Sequence, residues 1–167
     1  MKSKIILVGM MGCGKTVIGK ILSERLKFPL FESDEIFEKR NNILIKDYFS
    51  KYGENSFRQK ETEILKEILK EDVFILSSGG GIVLKEENRN LIFNDKNNVV
   101  YLKTSIDELY LRLQNDNQRP LLMVENPKAE IQKIMLDREK YYSQANIVVE
   151  TDNKNRDEIV EEIIKNL

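Results

Sequence analysis

The chain has 167 residues, with 27 Lys and Arg against 28 Asp and Glu for a formal net charge of −1; such a length suits one domain able to bury a core without metal or disulfide staples. The near-neutral balance excludes a generally basic nucleic-acid binder, and a single cysteine, Cys13, excludes an intramolecular disulfide framework and fits a reducing cytoplasm. Histidine is absent, which excludes a Ser-His-Asp triad, a Cys-His dyad and a His-built metal site and leaves carboxylate, Lys, Tyr or thiol as general base.

In chain order, Met1 to Lys4 ahead of the apolar run from Ile5 to Gly14 have the outline of an export signal. The run stops at Lys15 without a small-x-small cleavage site and is shorter than the about 20 apolar residues of a membrane span. It reads instead as a buried strand, Ile5 to Val8, entering a loop, and no membrane partner is expected. That loop, Gly9-Met10-Met11-Gly12-Cys13-Gly14-Lys15-Thr16, fits G-x-x-x-x-G-K-[ST] in full. Glycines let backbone N–H groups turn around phosphate oxygens without a side-chain clash, and the helix that follows points its positive end at the same anion. Lys15 adds a full charge at the β- and γ-phosphates, and the Thr16 hydroxyl can coordinate Mg²⁺. A nucleoside triphosphate is the expected ligand. Cys13 reads as a small residue fitting a crowded turn, with a regulatory thiol as the lesser alternative.

After Lys15, the residues Val17, Ile18, Ile21, Leu22 and Leu26 recur at helical spacing. Phe28-Pro29-Leu30-Phe31 is a weaker strand whose proline predicts an edge position. It runs into Glu32-Ser33-Asp34, where two acids on extended chain would project the same way, toward the phosphate loop. Asp34 could take a proton from a substrate hydroxyl while Glu32 helps hold Mg²⁺ through water; equally, Asp34 reads as the N-cap of a helix from Glu35 to Arg40. Gly53-Glu54-Asn55-Ser56-Phe57-Arg58 opens the longest expected helix, Glu54 to Lys70, with Phe57, Ile64, Leu65, Ile68 and Leu69 on its core face. Arg58, beside Phe57, can flank the sheet; an ordinary surface arginine paired with Glu61 or Glu54 is the alternative.

A strand from Val73 to Leu76 leads into Ser77-Ser78-Gly79-Gly80-Gly81, whose glycines permit close approach of a substrate to the backbone or form a plain flexible turn. A strand from Val99 to Leu102 and a helix from Ser105 to Leu113 precede the segment 114–126. That segment is polar, then abruptly apolar, and reads as a mobile lid carrying Arg119 onto the phosphates. A helix from Lys128 to Tyr142 carries Arg138, and a strand from Ile147 to Val149 and a helix from Asn155 to Asn166 close the chain. Strands alternating with helices predict an α/β fold with a parallel sheet covered on both faces. Ligands are then expected beyond the carboxyl ends of the strands. The nearest match to a guanine-reading Asn-Lys-x-Asp, Asn153-Lys154-Asn155-Arg156, lacks the aspartate, which disfavours a GTPase and points to a small-molecule kinase.

Taken as an ordered set, these residues resemble shikimate kinase over nearly the whole chain. The matching features are the loop from Gly9 to Thr16, the acid pair ending at Asp34, and Gly-Glu-x-x-Phe-Arg from Gly53 to Arg58. They continue with Gly79 to Gly81, Arg-Pro-Leu-Leu from Arg119 to Leu122, and Arg138 followed by a tyrosine. The resemblance implies one three-layer P-loop kinase domain over 1–167, with a five-stranded parallel sheet in the order 2-3-1-4-5. Within it, 34–61 would bind the substrate and 114–126 would be the lid. It implies transfer of the ATP γ-phosphoryl group to the 3-hydroxyl of shikimate in aromatic amino-acid synthesis, with Lys15, Asp34 and Arg119 catalytic. Gly12, Cys13, Gly14, Lys15, Thr16 and Val17 would cradle ATP, with Thr16 on Mg²⁺ and Arg112, Arg119 and Asn155 completing the nucleotide site. Asp34, Arg58, Gly80 and Arg138 would hold shikimate, the two arginines on its carboxylate. The family usually has aspartate where Glu32 stands, so Glu32 would reach Mg²⁺ through water or not at all, since that ion demands near-ideal geometry. A cytoplasmic monomer without a nucleic-acid partner is expected. A related kinase for gluconate or a nucleoside monophosphate, and a nucleotide-dependent binding module without catalysis, are the alternatives.

Overall fold

The run Ile5-Ile6-Leu7-Val8 has no solvent exposure at any position, as a strand covered on both faces should. It belongs to β1 (Lys4–Val8), the central member of a parallel sheet in a computed structural model that describes residues 3–114 and 124–167. With β2 (Leu30–Glu32), β3 (Phe74–Ser77), β4 (Asn98–Lys103) and β5 (Ile147–Glu150), the order is β2-β3-β1-β4-β5. Ile6 lies opposite Leu76 on one side and Val99 on the other, so β1 and β3 end within one residue of each other and β4 runs two residues further. The strand carrying Pro29 at its start is indeed at the edge.

The connecting helices are α1 (Lys15–Leu26), α2 (Ser33–Asn41), α3 (Ile45–Ile68), α4 (Glu86–Ile92), α5 (Ile106–Leu113), α6 (Pro127–Tyr142) and α7 (Arg156–Asn166), with a 3₁₀ turn at Ile82–Leu84. Three differ from the sequence expectation. Helix α3 begins at Ile45 rather than Glu54, and Gly53 (φ 79°, ψ 165°) breaks it into two stretches within one element. That torsion pair is open to glycine alone, so the residue that looked like a helix boundary is a kink. The first stretch is held by an aromatic cluster: Phe37 meets Tyr48 and Phe57 at ring-centroid distances of 4.9 and 4.7 Å, and Phe49 meets Phe57 at 4.9 Å. Helix α2 begins at Ser33, with Glu32 at the N-cap position, so Asp34 is neither extended nor the cap but sits in the first turn. Helix α4 and the 3₁₀ turn are too short for periodicity to announce. Among the described residues no helix is long and apolar enough to cross a membrane.

Candidate active site

Beyond the carboxyl end of β1, Gly14 (φ 102°) opens α1 with no side-chain cap and no acidic residue in the first turn. The first N–H groups of α1 are thus left for an anion, the arrangement a phosphate requires. Lys15 is buried at 8% exposure, and its Nζ donates to the carbonyls of Gly9 (2.8 Å) and Met10 (2.9 Å). Cys13 is buried, with Sγ 3.6 Å from Lys15 Nζ. A side chain at Gly9 would strike the carbonyl of Leu102 at 2.9 Å and this sulfur at 3.0 Å, so the turn is crowded around the thiol.

Met11, Gly12, Gly14, Lys15, Thr16 and Val17 line one side of a cavity of about 210 Å³; Glu32, Asp34, Ser77, Ser78 and Gly80 line the other. The acid pair therefore faces the loop, though by a route other than the expected one: Glu32 ends β2 while Asp34 projects from the first helical turn. Glu32 is ion-paired with Lys20 at 3.5 Å, and Thr16 Oγ1 lies 3.5 Å from Ser77 Oγ.

Protein side chains press against the three glycines. A Cβ at Gly79 would lie 2.7 Å from Asp34 Oδ1 and 2.9 Å from Glu61 Oε1, and one at Gly81 would lie 2.2 Å from Arg58 Nη2. At Gly80 it would meet Met11 N at 3.2 Å and Arg138 Nη1 at 3.7 Å. The absent side chains thus admit Asp34, Arg58 and Glu61 as well as bringing the turn against the nucleotide loop. The Gly79 N–H donates to Ser33 Oγ (2.9 Å), which ties the turn to α2.

Arg58 is paired with both acids that the surface alternative named, Glu54 at 3.0 Å and Glu61 at 2.9 Å, yet its side chain is only 11% exposed. Burial works against the Arg58 charge, but Glu61 and Glu54 outweigh it and raise its pKa above the ordinary value. For Glu61 the balance is reversed: burial, opposed by Arg58 and reinforced by Asp34, lifts its pKa to about 7. Arg138 is buried at 6% exposure, and among the described residues no carboxylate lies within ion-pair distance of it. A buried guanidinium without a close counter-charge is strongly biased toward an incoming anion.

Arg112 stands at the rim, paired with Glu108 at 2.8 Å and donating from Nη1 to the carbonyl of Gly12 at 3.4 Å. Asn155 does not line the cavity. It caps α7 reciprocally, accepting from Glu158 N (3.0 Å) while its own N–H donates to Glu158 Oε2 (2.7 Å). Arg119 and most of 114–126 lie outside the described residues. Sequence reasoning missed the burial of Glu61, although its spacing of four from Phe57 and four from Leu65 places it on the core face. It also missed Ser33 and the hydroxyl of Tyr142, which donates to the Gly80 carbonyl at 2.6 Å.

A family model described as shikimate kinase matches residues 11–167. The chain belongs to the shikimate kinase family. It is an ATP-dependent phosphotransferase. A shikimate kinase from Enterococcus faecalis is 40% identical over 166 residues, covering 98% of this chain and 97% of that one. The solved shikimate kinase of Acinetobacter baumannii, in complex with shikimate, superposes with a TM-score of 0.93 at 33% identity, covering 98% of this chain and 91% of that one. Another, from Aquifex aeolicus, gives 0.85 at 32% identity over 98% and 95%. The family resemblance read from the ordered motifs and the sheet order it implied both hold.

Proposed function

We propose that this chain transfers the γ-phosphoryl group of ATP to the 3-hydroxyl of shikimate, giving shikimate 3-phosphate and ADP. The observation that carries the reading is that Lys15 and Asp34 line one cavity whose glycine edge is backed by two guanidiniums, that of buried Arg138 and that of Arg58 with its side chain 11% exposed. Shikimate has a carboxylate at one end and hydroxyls at the other, so gripping the acid at Arg58 and Arg138 would present a hydroxyl to Asp34. Planar guanidiniums suit that grip because each can bond both carboxylate oxygens. Asp34 would accept the hydroxyl proton, while Lys15 and Arg119 would hold the charge that develops on the transferring group. The stretch 34–61 is then the acid-binding region and 114–126 the lid of a single kinase domain.

Mg²⁺ fits the donors present. Thr16 Oγ1 on one side of the cavity and Glu32 and Asp34 on the other offer only hard oxygen ligands. Among the described residues no cluster of three His, Cys, Asp or Glu could hold a metal ion alone, which suits an ion carried mainly by phosphates and water. Once bound, it would neutralise charge on the phosphate oxygens. Its ion pair with Lys20 leaves Glu32 a water-mediated role.

ADP release from ATP and Mg²⁺ should occur with shikimate and not with quinate, gluconate or AMP as acceptor. Turnover with gluconate or AMP instead would overturn the substrate assignment, and no turnover with any acceptor would support a non-catalytic nucleotide-binding module. Arg58→Ala should raise the shikimate KM by the equivalent of about 2–5 kcal/mol of lost pairing.

A further inference from the structure

Three successive glycines give the turn after β3 little backbone preference of its own; bonds from the Ile82 and Leu84 N–H groups fix the Gly79 and Gly81 carbonyls at 3.1 and 3.0 Å, and groups outside the turn fix the rest. At the Gly79 N–H that group is the Ser33 hydroxyl. At Gly80 it is Tyr142. This residue is completely buried, and its hydroxyl donates to the Gly80 carbonyl at 2.6 Å. Among the described residues no other hydrogen bond reaches that oxygen. The same hydroxyl lies 4.0 Å from Met10 Sδ of the nucleotide loop and faces the Arg138 guanidinium, which opposes part of the upward shift that burial imposes on the phenol. Arg138 and Tyr142 are one helical turn apart and share a face of α6.

The ring itself is fixed. It stacks on Tyr101 with centroids 5.3 Å apart and planes at 27°, and the Tyr101 hydroxyl donates to Glu139 of the same helix. Tyr101 in turn reaches the start of the nucleotide loop, its ring carbon 3.6 Å from where a Gly9 Cβ would stand. One helix therefore supplies Arg138, Glu139 and Tyr142, and through two stacked rings it is referenced to the loop that would hold the phosphates.

We infer that Tyr142 is a positioning residue of the acid site: its hydroxyl fixes the Gly80 peptide and the neighbouring Arg138 guanidinium at a set distance from the nucleotide loop. The inference rests on the reading of Gly80, Arg58 and Arg138 as the shikimate side of the cavity. Tyr142→Phe keeps the ring, the volume and the stack while leaving the Gly80 carbonyl without a donor.

The test is equilibrium binding of shikimate and, separately, of ADP, with steady-state kinetics alongside, for Tyr142→Phe, Tyr101→Phe and Arg58→Ala. Tyr142→Phe should weaken shikimate about tenfold, the scale of one buried hydrogen bond lost with its acceptor stranded, and lower kcat, while ADP affinity stays within twofold. Tyr101→Phe removes a buried hydroxyl from the same stack without touching Gly80; it should lower Tm and leave both affinities within twofold. Shikimate affinity within twofold of wild type in Tyr142→Phe overturns the inference, as do equal losses of both ligands in the two phenylalanine variants. Arg58→Ala separates this from the site reading: if it too binds shikimate normally, that reading fails, whereas loss in Arg58→Ala alone sinks only the role of Tyr142. Should Tyr142→Phe not fold, a fluorinated tyrosine placed at 142 keeps the ring and gives up its donor as it ionises. Shikimate affinity should then fall, beyond any pH dependence of the unmodified chain, as pH rises through that titration, and a profile that coincides with the unmodified chain's overturns the inference.

Discussion

Glu61→Gln offers a direct measurement of what the acid site does to stability. In the folded chain burial, offset only in part by Arg58, moves Glu61 from 4.5 to about 7. An acid whose folded pKa is raised stabilises the fold in its protonated form. That contribution is complete below 4.5 and is lost as pH climbs through about 7. Glutamine has the same shape, can accept from Arg58 through its amide oxygen and has no proton to lose. Between pH 5 and pH 8 the stability of the variant relative to wild type should therefore rise by about 2.5 kcal/mol, or by about 5–10 °C in relative Tm for a chain of this size. Thermal or urea unfolding of both proteins at the two pH values gives the answer as a difference of differences, in which titrating groups that do not interact with Glu61 cancel. A gap between variant and wild type that is the same at both pH values would mean that Glu61 titrates as an ordinary surface carboxylate, and the electrostatic account of the site would be wrong.

Three further outcomes are expected. Arg119→Ala should lower kcat by about 10²–10³-fold while changing the shikimate KM little, a split visible in steady-state kinetics. Gly81→Ala meets no torsional obstacle at φ −90°, but its methyl would stand 2.2 Å from Arg58 Nη2; displacing that guanidinium should raise the shikimate KM by about 10²-fold with the ATP KM unchanged. Asn155→Ala removes the reciprocal cap of α7 and should lower Tm by about 2–4 °C, and an accompanying rise in the ATP KM would report the adenine contact that family resemblance implies.

What could be seen in the sequence was whatever is written locally. The strand before Gly9, the glycine-lysine-threonine spacing and the edge position of the strand carrying Pro29 are short-range patterns, and the sheet realises them. Asp34 shows the limit. Facing the loop was legible, but the extended geometry from which that followed was wrong, because α2 starts at Ser33 and delivers the carboxylate from a helical turn. Glu61 shows another limit: its pairing with Arg58 was anticipated as the mark of a surface arginine, and only the packing of α3 on the glycine turn makes the pair an interior one. Tyr142 was beyond reach altogether, since its partner Gly80 is 62 positions away along the chain. Helix 45–52 was hidden by reading Gly53 as a beginning rather than a bend.

Gly53 also separates two demands that usually arrive together. Among the described residues nothing lies within 4 Å of where its side chain would go, so bulk is no objection there; handedness is. An L-alanine would carry about 1–3 kcal/mol of backbone strain at those torsions, whereas its mirror image, introduced by chemical synthesis, would settle into the same bend at ease. The angle at which the aromatic half of α3 meets the half bearing Arg58 is thus guarded by stereochemistry at the bend itself, beside the Phe49–Phe57 contact and the Tyr48–Ser56 hydrogen bond that span it, and a single D-residue could stiffen it without altering one contact.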